Sequence, residues 1–466
     1  MLLMVGATGD HGTAICRRLR RDKVLSARGL ARTTSDPARA SYLRRLGVDT
    51  ARGDLKDRAT LEAACQGVEP VITTATITRS RQPDDIIQRV DMDNSFQLLV
   101  GADAFAHEFT VSLRDCHESL YAQFMTYEGD ATGQAFSDEL VDKAAEGVDV
   151  RLMVDGYTDF VISDVYPFLL HRRNSIREEH TQTQALFERL PHCGVAVKRT
   201  APPGFMGRHM LYRDHKKTIV MDGQIAFVGG INISDHNYAW HDFVVKIKGP
   251  LVRDLARDFC STWDGDTVPF ERSNGTGDYI LNQCAGRYSL FEEILHRIGQ
   301  AQHSLVIESP YLLGNHLESH IWNAAERGVQ VTLITPYHNN KLMYRLWVRT
   351  LRRRLDHPNI TIYGYQGNGG MTHAKLLIVD EEWASFGSCN MFELEGLTLK
   401  ELNVFSNNAD LIAQLSALVT DDLARAIPLR PPKRAFGRFT FVILYQFVNW
   451  WTERLLRSPK WTKIYC

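Results

Sequence analysis

"HKKTIVMDG" runs from His215 to Gly223, and "HAKLLIVDE" runs from His373 to Glu381. Each reads H-x-K, four residues, then D, and the copies stand 158 residues apart. "KKTIVM" and "KLLIV" have the β-branched and aliphatic composition of strands. On a strand, residues i and i+2 share a face. His215 therefore points with Lys217, and His373 with Lys375. Asp222 and Asp380 lie seven residues beyond their histidines. That odd parity turns them away, so within the motif they are read as structural rather than chemical members.

The surroundings repeat as well. Asn232 and Asn390 each follow their histidine by 17 residues, in "GGIN" and "GSCN". A trailing acid follows: Asp242 stands 27 residues after His215, and Glu401 stands 28 after His373. An imidazole that attacks phosphorus needs a fixed tautomer, which a carboxylate on its other ring nitrogen supplies. Each acid is read with the histidine of its own copy. Lysine, asparagine and backbone N–H groups can hold phosphate oxygens and stabilise a five-coordinate phosphorus. With two histidines, one can attack while the other protonates the leaving oxygen. Neither step calls for a metal.

Upstream of each motif the chain follows the same plan of helix, strand, helix, strand. One round starts at Phe96, and the other follows the Gly-rich "ERSNGTGD" of Glu271 to Asp278. An internal repeat on this scale is more specific than either motif alone. The halves are placed at 95–268 and 279–428. Gly230 stands where the second half has Ser388, so the phosphate cradle need not be symmetric. Glu128 and Glu308, in "TYEGD" and "VIESPY", are read as occupying matching strand ends.

Residues 96 to about 425 resemble the phospholipase D superfamily with its two HKD motifs. The flanks "EGDATG", "DHKKTIVMDGQIAFVGGINISD", "WHDF" and "THAKLLIVDEEWASFGSCNM" are similar to bacterial cardiolipin synthases and related phosphatidyltransferases. The resemblance implies two similar α/β/α halves with pseudo-two-fold symmetry, one shared site and a covalent phosphohistidine. It implies His215 as nucleophile and His373 as general acid/base, acting on glycerophospholipids. Within the superfamily the alternative is a nuclease; outside it, an NADP-sensing binding protein with a dead HKD site. Intact histidines, lysines and asparagines in both copies speak against a dead site.

Residues 1–92 alternate short apolar strands with polar helical stretches, which argues for a parallel sheet. "GATGDHG" places Gly6, Gly9 and Gly12 directly after a strand, where a helix N-terminus can meet a pyrophosphate. With "LARTTSDPARA" and "PVITTAT" the segment resembles the first half of an NmrA-like atypical short-chain dehydrogenase. That resemblance puts Arg32 at a 2′-phosphate and adds Asp54, so NADP is the cofactor it implies. It stops near residue 90, before any Tyr-x-x-x-Lys, and hydride chemistry is not expected. The segment is read as a partial Rossmann-like unit, either vestigial or regulatory.

The chain has 466 residues, 23% of them charged, and a formal net charge of −1. A polybasic nucleic-acid binder is excluded on that balance, and no nucleic acid is expected as partner. Eight cysteines without paired spacing suit a reducing compartment. "MLLMVGATGD" lacks the form of a signal peptide, and no apolar run reaches 18 residues. From Leu423 to Cys466 there are nine Lys or Arg and one acid, Glu453. Within this tail, placed at 429–466, "FTFVILYQFVNWWTERLLR" is apolar on most faces of a helix. It is read as lying in the interface of a membrane. The location expected is cytoplasmic, peripheral on the inner face of the cell membrane, with the oligomeric state left open.

Overall fold

The computed structural model describes residues 2–5, 7, 16–17, 26–31, 37–53, 60, 63–64, 71–73, 94–164, 174–202, 212–265, 277–283, 289–431, 446–447, 450 and 454. The chain forms two compact units, Met1–Met92 and Asp93–Cys466.

In the first unit, β1 (Leu2–Val5), β2 (Ala27–Ala31), β3 (Asp49–Arg52) and β4 (Val71–Thr73) form a parallel sheet in the order β3-β2-β1-β4. A helix, Pro37–Arg45, connects β2 to β3 and buries Leu43 against Met4, Ala27 and Val48. Parallel pairing requires such crossovers, which is why strands and helices alternate here. Gly6, Gly9, Gly12, Arg32 and Asp54 lie outside the described residues.

The second unit contains two sheets. The first holds β5 (Ser95–Val100), β6 (Ser119–Phe124), β7 (Asp149–Asp155), β8 (Ala196–Thr200), β9 (Thr218–Met221), β10 (Ile225–Gly229) and β11 (Phe243–Lys248). Its order is β5-β11-β10-β9-β6-β7-β8. The second holds β12 (Tyr279–Gln283), β13 (Ser304–Glu308), β14 (Gln330–Pro336), β15 (Ile360–Tyr365), β16 (Leu376–Val379), β17 (Trp383–Gly387), β18 (Glu401–Ser406) and β19 (Ala426–Pro428). Its order is β12-β18-β17-β16-β13-β14-β15-β19. Strand for strand the second repeats the first, with β19 added antiparallel at the far edge. The expected pair of similar α/β halves is present.

The apolar runs at the motif strands follow from burial on both faces. In β9, Ile219 and Met221 pack into the outer core of the first half, while Val220 faces the second half. In β16, Leu377 and Val379 face outward, while Leu376 and Ile378 face the first half. The inner core also takes Val245, Phe386 and Val404, and the apolar faces of helices Leu251–Asp264 and Ala409–Ala424. The halves are thus joined by an interior that only their association buries, and that burial is the main force holding them in register.

Asp222 and Asp380 sit in the hairpin turns after β9 and β16, both with left-handed backbone (φ 51° and 53°), a conformation Asp tolerates better than most residues. The Asp222 carboxylate accepts backbone N–H bonds from His117, Glu118 and Ser119 at 2.7–2.8 Å. Asp380 accepts from Gln302, His303 and Ser304 over the same distances. Each therefore pins the start of β6 or β13 to the motif hairpin. Burial alone would raise both carboxyls, but the three N–H donors outweigh it and hold both below the ordinary value. A depressed folded-state pKa stabilises the fold above the unfolded value, and that stability is lost as pH falls through the folded one. Asp222→Ala is expected to cost about 3 kcal/mol of stability, with the deficit shrinking in acid. Denaturant titration at two pH values checks this. A pH-independent deficit would remove the carboxylate from the account.

Candidate active site

His215 and Lys217 lie just ahead of β9, and His373 and Lys375 just ahead of β16, in extended lead-in chain. Each lead-in makes one short parallel bridge to the opposite half, Asp214 with Lys400 and Thr372 with His241. The His215 N–H donates to the Lys400 carbonyl at 2.9 Å, and the His373 N–H to the His241 carbonyl at 2.6 Å. Lys400 immediately precedes Glu401, and His241 immediately precedes Asp242. The bridges therefore deliver each histidine to the acid of the other copy.

The side chains complete the exchange. His215 Nδ1 lies 2.9 and 3.1 Å from the two Glu401 oxygens, and His373 Nδ1 lies 2.7 Å from Asp242 Oδ2. The reading of each acid with its own copy's histidine is corrected: Asp242 serves His373, and Glu401 serves His215. All four side chains are buried. An acid accepting from Nδ1–H leaves Nε2 as the free nucleophilic nitrogen.

Burial, reinforced by the neighbouring lysines, lowers both imidazoles well below their ordinary value, so both are neutral at rest. Burial raises Asp242 to about 6 against the pull of Lys375, and Glu401 to about 7 against that of Lys217. Burial and mutual repulsion lower Lys217 to about 7, and burial lowers Lys375 to about 8. Lys375 Nζ packs on the His373 ring, 2.9 and 3.1 Å from its nitrogens. Each lysine also donates to the carbonyl of its own histidine at 2.5 Å. Four nitrogen bases are thus crowded around two carboxylates, Asp242 and Glu401, and a phosphate group would add negative charge that favours their protonated forms.

The two acids are held differently. Ser388 Oγ donates to Glu401 Oε2 at 2.5 Å. A Cβ on Gly230 would stand 2.3 Å from Asp242 Oδ2, so a serine has no room there. The Gly230/Ser388 difference therefore acts on the acids behind the histidines. Asn232 accepts from the Thr126 N–H at 3.1 Å, and Asn390 donates to Glu395 at 2.7 Å. Both asparagines border one cleft together with His215 and His373.

Sequence reasoning did not find Trp240, Tyr311, Lys341 and Glu395, which also line this cleft. They come from loops and helix ends that carry no repeated pattern. It also missed Lys216, whose odd parity sends it away from the cleft into a buried ion pair with Asp258 at 2.8 Å. The match of Glu128 with Glu308 is corrected too. Counted from Ser119 and Ser304, which Asp222 and Asp380 hold, Glu308 corresponds to Gln123. Gln123 bonds Asp214 and Glu308 bonds Thr372, each just ahead of its histidine. Glu128 borders the cleft, where it accepts from the Ser163 N–H and pairs with His236 at 3.2 Å.

The chain matches the family profile described as "Cardiolipin synthase, PLD-like domain" over residues 111–263 and 294–422, well over half its length. It is 24% identical over 344 residues to a probable cardiolipin synthase, YwiE, of Bacillus subtilis, covering 69% of this chain and 64% of that protein. It is 28% identical over 353 residues to a cardiolipin synthase of a Geobacillus species, covering 71% and 66%. The chain thus spans about two thirds of the length of these relatives. Among solved structures, phosphatidylserine synthase of Haemophilus influenzae is similar in fold, with a TM-score of 0.57 at 14% identity, covering 78% of this chain and 94% of that one.

Proposed function

Since this chain belongs to the family of cardiolipin synthases with phospholipase D-like domains, we propose that it transfers phosphatidyl groups between glycerophospholipids, with cardiolipin as the product. The observation that carries this reading is the pair of histidines on one cleft, each tied through Nδ1 to a buried carboxylate of the opposite half. In the first step His215 Nε2 attacks the phosphorus of a phosphatidyl donor. A P–N bond forms, the P–O bond to the donor's alcohol breaks, and His373 gives that oxygen its proton. The incoming phosphodiester charge raises the proton affinity of His373, so it is loaded when the donor is bound. In the second step His373 takes the proton of an acceptor hydroxyl, which displaces His215 from phosphorus. Phosphatidylglycerol as acceptor gives cardiolipin, and water gives phosphatidic acid. No metal enters these steps.

Lipid mass spectrometry after incubation with phosphatidylglycerol, alone and with phosphatidylethanolamine, tests the reading. Cardiolipin is the expected product, and turnover is expected to continue in EDTA. Hydrolysis of a nucleic-acid phosphodiester with no lipid turned over would favour the nuclease alternative.

We also propose peripheral attachment at the inner face of the cell membrane through residues 429–466. No helix among the described residues is long and apolar enough to cross a membrane. Within the tail, Phe447 and Trp450 are exposed and Arg454 stacks over Trp450 at 5.4 Å. Removing residues 436–466 is expected to weaken sedimentation with anionic vesicles while sparing a soluble phosphodiester substrate. An unfolded truncation product would place the tail in the core instead.

For residues 1–92 we propose a Rossmann-like dinucleotide site, because the order β3-β2-β1-β4 puts the topological switch beside β1, which Gly6 follows. NADP would be held by Gly6, Gly9, Gly12, Arg32 and Asp54. Titration of NADPH fluorescence tests it, and an unchanged spectrum would leave a vestigial packing unit.

A further inference from the structure

The helix Leu342–Arg354 begins one residue after Lys341, which borders the catalytic cleft. Its sequence, "LMYRLWVRTLRRR", holds five arginines and no acid. One face is buried: Tyr344 and Trp347 pack on Phe392, Tyr344 stacks on Tyr311 at 4.2 Å, and Leu351 enters the core. The opposite face carries Arg345, Arg349 and Arg353, all exposed and spaced i, i+4, i+8, so they form one row leading away from the cleft. Arg354 is turned aside into a pair with Glu318. Among the described residues no carboxylate pairs with Arg345 or Arg349.

The row does not stand alone. Arg352 donates to the Arg430 carbonyl, tying the helix to the end of β19. On that edge Ile427 is 39% exposed, and Tyr337, whose ring lies near Leu429 over Gly364, is 42% exposed. Burial and then the neighbouring Arg349 lower the proton affinity of Arg352, which shows how closely the cations are crowded. The chain as a whole carries a net charge of −1, so this concentration is local. Cations flanked by exposed apolar side chains match a surface that is anionic at the headgroups and apolar just beneath. A nucleic-acid backbone would satisfy the arginines and leave Ile427 and Tyr337 unused.

We infer that the arginine row of this helix, with Tyr337 and Ile427 beside it, is a docking surface for an anionic phospholipid bilayer at the mouth of the catalytic cleft. Its purpose rests on the lipid-substrate reading given above, since docking here would present the cleft to headgroups. In sequence, the basic tail follows Arg430.

Vesicle flotation of the full chain tests this, with His215→Ala as parent to prevent turnover. Each arginine near an anionic surface is worth about fivefold in affinity, so Arg345→Gln/Arg349→Gln/Arg353→Gln should weaken binding to phosphatidylglycerol-containing vesicles by on the order of 100-fold. Arg349→Glu alone changes the charge by two, so it should weaken binding by about 25-fold, and it covers the case in which the triple variant melts early. A control removing the same charge elsewhere, Arg114→Gln/Arg189→Gln/Arg257→Gln, should stay within about threefold of the parent. The inference is overturned if the row variants stay within that margin, or if the control falls as far. It is also overturned if only DNA binding responds to the row. Loss of vesicle binding in the row variants, together with failure of the chain with His215 intact to form any lipid product, would leave the surface standing and the activity reading refuted.

Discussion

His215→Ala is expected to lower lipid turnover by about four orders of magnitude or more, to the limit of detection. Removing the nucleophile removes the covalent route itself, and the lysines alone cannot supply a P–N intermediate. His373→Ala should be nearly as damaging with an ordinary alcohol leaving group, because the departing alkoxide then has no proton donor. The chain should remain folded, since neither imidazole belongs to the apolar clusters that join the halves. Quenching in alkali during turnover, followed by peptide mapping, is expected to find acid-labile phosphate on His215. In His373→Ala with an activated leaving group the label should accumulate, because the second step then lacks its base. Label confined to His373 would reverse the two roles.

The distinction between legible and hidden features has a physical basis. The strand runs were legible because burial on both faces excludes polar residues from β9 and β16. Odd parity marked Asp222 and Asp380 as facing elsewhere, and both hold backbone N–H groups at a distance from the cleft. The acids were legible as residues but not as partners. In a duplicated chain the spacing from histidine to acid is nearly the same in both copies, so pairing within a copy and pairing across copies look alike. Only association of the halves decides between them, through the bridges of Asp214 to Lys400 and Thr372 to His241. Lys341 and Tyr311 were hidden because nothing in the first half corresponds to them in pattern. Glu308 was mispaired because a glutamate in each copy is a weaker guide to register than the backbone contacts of Asp222 and Asp380. The residues of the Gly-rich loop near the N-terminus lie outside the described residues, so their reading still rests on sequence and strand order.

The exchanged acids make a prediction that pairing within each copy would invert. Glu401→Gln should impair His215, and Asp242→Asn should impair His373, each by about three to four orders of magnitude in turnover with a natural alcohol leaving group. The reason is the tautomer: an amide at either position can donate to Nδ1, which moves the imidazole proton to Nε2 and blocks its lone pair. The two losses differ in what rescues them. A nitrophenyl leaving group departs without a proton, so formation of the phosphohistidine should be restored in Asp242→Asn, as in His373→Ala. It should not be restored in Glu401→Gln or His215→Ala, where the attacking nitrogen itself is disabled. Rapid-quench measurement of the first turnover with a nitrophenyl phosphodiester separates the cases. Substrate affinity should change far less than the rate in both variants, because Asn232 and Asn390 still line the cleft and Lys217 and Lys375 still stand beside the histidines. Rescue of Glu401→Gln but not of Asp242→Asn would mean that each acid serves its own copy's histidine, and the crossed geometry would have no part in the chemistry.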